Sequence, residues 1–274
     1  MELTLKRHLI IGWYYLLQSI KVKMAYRANF LAELVGTIGY GAVNIGMLWV
    51  LFERVGATLT GWTFAQALLI YGMGELTFAL FSMVSLGMVF SLPSHYIIEG
   101  HLDRPLLRPM SVFFQCCLEQ VSINNWTIAI KGIAIIIWCA QQPGTLRHAS
   151  STDPIWWLGT ATAIIGGACI YNGMFVTLAT ASFWLKDRVS LTWPLFDFNE
   201  FSRYPLTIYP PAARIFFSWI LPYAFVAFYP ATLIMGADEW WHAARWWPVV
   251  GIVLNGFSAW LWQQGIKSYE SSGS

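Results

Sequence analysis

The sequence predicts an all-α integral membrane protein with six transmembrane helices. Three observations carry that prediction. Of 274 residues, 57% are hydrophobic and only 11% charged, whereas a soluble domain is about one-quarter charged. The apolar residues lie in long charge-poor runs, and a chain crossing lipid must satisfy its backbone hydrogen bonds within the crossing segment, which makes those runs helices. The 16 Trp and 12 Tyr suit two water–lipid interfaces, where such rings settle. The lipid bilayer is thus the first partner. A net charge of +2 carries no sign of nucleic-acid binding.

Met1–Arg27 reads as an amphipathic helix lying on a membrane face. Leu9, Ile10, Trp13, Leu16, Leu17 and Ile20 recur at helical intervals, with Lys6, Arg7, Lys21, Lys23 and Arg27 at the ends. It serves either as a plain anchor or as a contact to a partner. No cleavable signal precedes the first span, which is expected to direct its own insertion. That span runs from about Phe30 to Phe52; Gly36, Gly39, Gly41 and Gly46 would allow close helix approach. The second runs from about Phe64 to Phe90 and contains Glu75. The third runs from about Val112 to Ala140, with Glu119 near its start and Lys131 inside it. The fourth, Pro154–Leu185, has no charge and exceeds what a bilayer needs, so it tilts, bends near Gly166-Gly167 or projects. The last runs from about Trp246 to Ile266.

Between Val189 and Gly236 the pattern is irregular. Val189–Pro205 carries Asp197, Glu200 and Arg203, while Ile215–Ala237 is uncharged but holds Pro222 and Pro230. Hydropathy alone selects the second stretch as span five. The preferred reading makes the first stretch span five, facing protein, and Leu206–Gly236 a broken hairpin dipping back into the membrane, since polar residues and prolines are tolerated at membrane depth where shielded from lipid. Either way there are six spans, with both termini on one side. Lys6, Arg7, Lys21, Lys23, Arg27, Arg104, Arg108, Lys186, Arg188 and Lys267 then share one face, against Arg54, Arg147, Arg203, Arg214 and Arg245. The excess makes the first face cytoplasmic.

Ser94–Ser111 is a polar island on that face. It bears His95, Glu99, His101, Asp103, Arg104 and Arg108 beside the apolar Tyr96, Ile97, Ile98, Leu102, Leu106 and Leu107. One greasy and one charged face on a short helix fit docking on a protein; headgroup contact by the arginines is the alternative. His95 and His101, six residues apart on a loop without a thiolate, do not read as a metal site. Cys116, Cys117, Cys139 and Cys169 lie in apolar segments without metal-ligand spacing and read as reduced packing residues.

No phosphate-binding loop, HExxH, CxxC or GxSxG occurs, so no catalytic residue, bound metal or cofactor is expected. The intramembrane charges are the functional candidates instead. Glu75 and Lys131 have positions that allow pairing, and Asp197, Glu200 and Arg203 cluster on one or two helix faces; each set either pins helices or lines a substrate path. Asn124, Asn125 and Asn172 read as interhelical hydrogen-bond donors.

The stretches KMAYRANFLAEL (23–34), IIEGHLDRPLLRP (97–109), FNEFSRYPLTIYP (198–210) and LPYAFVAFYPATLIMG (221–236), with the ending GIKSYESSGS, resemble the permease subunits of ABC exporters of the ABC-2 type. The likeness covers nearly the whole chain, as one permease domain, 1–274. It implies that 1–27 is an interfacial connecting helix, 94–111 a cytoplasmic coupling helix and 206–236 an outer re-entrant hairpin between spans five and six. It further implies a dimer of ATPase subunits holding ATP and Mg²⁺, contacted through Tyr96, Glu99, His101, Asp103, Arg104 and Arg108. A second permease, copy or paralogue, and a bacterial inner-membrane location with both termini cytoplasmic are implied too. The rival reading is an ion-gradient-driven secondary transporter using Glu75, Lys131, Asp197 or Glu200.

Overall fold

The structure is a computed structural model that describes residues 10–15, 17–18, 20–21, 27–55, 58–59, 61–121, 125–147, 150–185 and 192–270. Their regular elements are helices, apart from one two-residue ladder. Helix α1 (Arg27–Val55) leads through strands β1 (Thr58–Leu59) and β2 (Trp62–Thr63), which pair antiparallel around a left-handed Gly61, φ 90°. Helix α2 (Phe64–Ile98) follows. Thr63 caps it: its hydroxyl accepts from Gln66 N–H at 3.3 Å while Gln66 Oε1 accepts from Thr63 N–H at 3.0 Å, a reciprocal box that satisfies two otherwise orphaned donors. Gln66 Nε2 also donates to Gly144 O at 3.1 Å, so the cap doubles as an anchor for a distant loop.

The third expected span is not one helix. It divides into α4 (Val112–Glu119) and α5 (Trp126–Ala140). α4 closes at Gln120, whose N–H bonds back to Cys117 and Leu118, and Gln120 and Val121 are not helical. Helix α6 (Pro154–Leu185) starts on an Asp153 cap, with the carboxylate accepting Ile155 N–H at 2.9 Å and Pro154 in the first turn. α7 (Thr192–Phe198) tightens into a 3₁₀ turn over Asn199–Arg203. Helices α8 (Pro211–Ile220) and α9 (Tyr223–Met235) then meet at 74°. The break has a local cause: Pro222 pushes Leu221 out of the helical region, to φ −114° and ψ 94°. Helix α11 (Trp247–Lys267), reached through the short α10 (Trp241–Ala244), ends the fold.

Neither candidate for span five is therefore a single straight helix. The described part of Val189–Pro205 is α7 and its 3₁₀ turn, ending in extended Tyr204, while Val189–Leu191 lie outside the described residues. Ile215–Ala237 straddles the α8–α9 bend. Among the described residues three helices are long and apolar enough to cross a membrane, Leu31–Arg54, Phe64–Ile98 and Pro154–Leu185, or four if α8 and α9 form one broken span. Met1–Leu9, Lys186–Arg188 and the last four residues of the chain also lie outside the described residues.

The body is built on α2, which packs along α5 and α6, with α11 laid along the far side of α6. Gly72 and Gly132 make the first of these contacts: a Cβ on Gly132 would stand 2.9 Å from Leu76 Cβ and 3.0 Å from Gly72 O, so only glycine permits that approach. Polar side chains tie the helices as expected for Asn125 and Asn172. Asn125 donates to Ser82 at 2.7 Å; Ser85 donates to Asn172 at 2.7 Å, and Asn172 to Asn255 at 2.9 Å. Asn124 lies outside the described residues. Cys116, Cys117 and Cys139 are buried, but Cys169 is exposed, because it falls on the outward face of α6. In α1, among the described residues, nothing lies within 4 Å of a Cβ placed on Gly36, Gly39 or Gly46, while Gly41 meets another element.

The Gly132→Val variant is expected to unfold about 1–3 kcal/mol more easily in detergent, the usual cost of overpacking. Thermal unfolding checks this, with Gly46→Val, which meets open space, as the neutral comparison.

Candidate functional site

Glu75 sits mid-helix in α2, about 16 Å from its first residue at 1.5 Å per residue. Its carboxylate is 1% exposed and lies between two cations. Lys131 of α5 reaches Oε2 with Nζ at 2.6 Å, and Arg203, at the end of the 3₁₀ turn after α7, reaches Oε1 with Nη1 at 3.1 Å. The second contact is close in distance but not aligned as a hydrogen bond, and the buried Arg203 Nε has no hydrogen-bond partner among the described residues. Arg203 also pairs with Glu200 at 3.0 Å, and Glu200 is the half-exposed member. Two carboxylates and two cations thus make a neutral set, buried at Glu75 and open at Glu200. Neutrality is what lets such groups lie at depth, since an uncompensated charge there costs several kcal/mol.

Two tyrosines complete it. Lys131 Nζ lies 3.5 Å from the Tyr71 hydroxyl and 5.7 Å from its ring centroid. Arg203 Nη1 lies 3.5 Å from the Tyr40 hydroxyl, with its guanidinium 5.9 Å from that ring. Tyr40 belongs to α1, as does Gly41, whose missing side chain leaves room for Lys131; a Cβ there would meet Lys131 Cδ at 2.7 Å. The pairing of Glu75 with Lys131 was open to the sequence. The arrival of Arg203 and the two tyrosines was not, although Tyr71 stands one helical turn from Glu75 and so on the same face. Asp197 does not join them: it is exposed on α7, and no ion pair to it occurs among the described residues.

The second expected site lies at the end of α2. The helix loosens from Leu92 to Ile98 into i→i+5 hydrogen bonding, Glu99 N–H reaching Ser94 O at 2.9 Å. Gly100, at φ 75°, reverses the chain, and the short helix α3 (Asp103–Leu106) follows. The loop is braced from within. Gln115 donates to Pro105 O and to Met110 O, both at 3.1 Å. Tyr96 donates to Glu119 at 3.1 Å, and Arg108 lies 3.7 Å from the same carboxylate. Tyr96 is 0% exposed, which corrects its expected place among the contact residues: its ring is core, and its hydroxyl supports the loop from below.

Glu99, His101, Arg104 and Arg108 do reach the surface, beside two leucines of the apolar face. Leu107 is 88% exposed, beside partly exposed Leu106. Asp103 meets the Tyr269 hydroxyl near the chain's C-terminal end; burial and then that carboxylate push the Tyr269 phenol up to about 12. Phe183 and Phe113 both pack on Trp262, and Gly12 lies against Leu118. The loop, the ends of α6 and α11, and part of the N-terminal segment therefore share one pole. The capped start of α2, the 141–147 loop and the α8–α9 pair share the other: Trp62 Nε1 donates to Thr207 at 3.0 Å and Trp156 Nε1 to Ile234 O at 3.2 Å.

Against known families, the sequence matches the one described as ABC-2 family transporter protein over residues 38–273. No match was found among curated proteins or among solved structures.

Replacing Glu75 by Gln leaves two cations facing a neutral amide and is expected to cost about 3–5 kcal/mol of stability. Adding Lys131→Met should restore part of that loss. A double-mutant cycle on thermal unfolding in detergent checks the coupling; strictly additive losses would mean that the pair does not interact.

Proposed function

The chain belongs to the ABC-2 transporter family, a multi-pass ABC permease, and from that premise we propose that it forms the translocation path of an ATP-driven exporter as a single permease domain, 1–274. ABC-2 permeases generally work with an ATPase subunit. In the proposed complex two such subunits hold ATP and Mg²⁺, and two permeases, identical or paralogous, stand side by side in a bacterial inner membrane. Each has six spans with both termini cytoplasmic. Residues 1–27 form the connecting helix and 206–236 an outer re-entrant hairpin, to which the bent α8–α9 pair lends support.

One observation carries the mechanism. The single helix α2 bears Glu75 in its first half and the 94–111 loop at its end. A push on the loop therefore acts on the same continuous helix that holds the buried charges. The exposed Leu107, with Arg104 and Arg108 beside it, offers an apolar tip ringed by cations for a groove on the ATPase. ATP favours the closed ATPase dimer, and that differential affinity supplies the bias between two permease conformations. Glu200 and Asp197, the more exposed acids, with Glu75, Lys131 and Arg203 behind them, line the proposed path. That Glu75 is already neutralised by two cations counts against the ion-gradient reading, which needs a carboxylate free to take up and release an ion.

The Arg104→Glu, Leu107→Asp double variant is expected to insert normally but to lose its ATPase partner. The amount of ATPase recovered with the tagged permease in gentle detergent should fall more than about tenfold, a loss of at least ~1.4 kcal/mol of binding. Undiminished recovery and undiminished permease-stimulated ATP hydrolysis would reject this loop as the coupling element.

A further inference from the structure

Three side chains of the 94–111 loop meet at one point. His95 and Glu99 lie on the loosened last turn of α2, where residues four apart share a face. Gly100, at φ 75°, then folds the chain back and lays the His101 ring on the His95 ring, centroids 4.2 Å apart and planes 18° apart. Both Nδ1 atoms approach the same carboxylate oxygen, Glu99 Oε2, at 3.1 Å from His95 and 3.6 Å from His101. No lysine or arginine among the described residues pairs with Glu99, although Arg104 and Arg108 are close in sequence; Arg108 turns to Glu119 instead.

We propose that His95, Glu99 and His101 form a binding site for a divalent cation of the zinc class. The spacing supports it. Zinc binds imidazole nitrogen at about 2.0–2.1 Å and carboxylate oxygen at about 2.0–2.2 Å, so a tetrahedral site sets neighbouring ligand atoms roughly 3.4 Å apart. The observed 3.1 and 3.6 Å bracket that value, and one ligand atom from each of the three residues falls within 4.8 Å of the others. Two imidazoles and one carboxylate favour zinc-like ions over the all-oxygen sets of magnesium and calcium. The side chains are 40–55% exposed, which leaves a path for the ion and a remaining coordination position for water.

The free loop has a ring stack to open, since an ion must lie in the plane of each imidazole it binds, and a tautomer to change. His101 Nδ1 lies 3.2 Å from His95 O, and an Nδ1–H donates there; the nitrogen becomes a ligand once that proton sits on Nε2. A bound ion would tie the end of α2 to the chain beyond Gly100, fixing the loop's internal angle. The six-residue spacing hid this site from the sequence because the turn, not the spacing, brings the ligands together. The site stands or falls independently of the ATPase docking proposed above.

The test is a Co²⁺ titration of the untagged full-length chain in detergent, followed by visible absorption and by metal analysis after gel filtration. The expected result is one Co²⁺ per chain, displaced by Zn²⁺. Glu99→Gln, His95→Ala and His101→Asn should each weaken it by more than about tenfold, since even outer-shell changes cost 10–100-fold. His242→Ala, at the other pole, should leave it unchanged. A wild-type chain that retains no stoichiometric Co²⁺ overturns the proposal without recourse to any variant, as does retention that the three substitutions do not weaken.

Discussion

The buried Glu75 carboxylate is the constraint on which the packing of this molecule turns. A single anion in α2 draws a lysine from α5 and an arginine from the turn after α7, elements far apart in the chain. It cannot be left alone in a low-dielectric interior, so the elements that carry its partners must stay in place. α1 is fastened at the same spot. Only 11% of its apolar window is buried; its contacts with the body include Tyr40 over Arg203, Gly41 under Lys131, and Thr37, which accepts from Thr127 at 3.3 Å, and nearer its end the buried Leu48 and Phe52, the latter edge-on to Phe64. Away from that patch Val35, Val43 and Met47 point outward, toward lipid or the second permease of the proposed complex.

The same arrangement relates the middle of the molecule to its pole. α2 is continuous from its capped start to the loop, with looser turns at Ser82–Leu86 and Leu92–Ile98. Wide turns of this kind recur at functional sites because they leave backbone groups and side chains unusually placed. The lower one shapes the loop surface; the upper one places Ser82 and Ser85 for their bonds to Asn125 and Asn172. Side-chain hydrogen bonds between helices in lipid are each modest, so it is their spread along α2 that keeps α5, α6 and α11 in register with it.

Much of this was legible in the chain. Long runs without charge announce helices in lipid, and the expected span limits near Phe64, Pro154 and Ile266 match the ends of α2, α6 and α11. The chance that Glu75 and Lys131 pair was visible because two opposite charges in neighbouring spans have few other destinations. The broken stretch around Pro222 was visible too, but the split of the third span after Glu119 and the inward turn of Tyr96 were not. Hydropathy averages over a window and is blind to a short interruption, and a tyrosine reads the same whether its ring faces a partner or the core.

By itself, then, the sequence determined the membrane class, the transporter family and the number of charges that had to find partners, because composition and local pattern are enough to decide solvent, helix and family motifs. Only the tertiary structure decided which partners they found. Arg203 joins Glu75, and Glu99 gathers two histidines, because a turn or a crossing of helices closes gaps that spacing along the chain leaves open. Distances between residues remote in sequence are set by packing, and packing is a property of the whole fold.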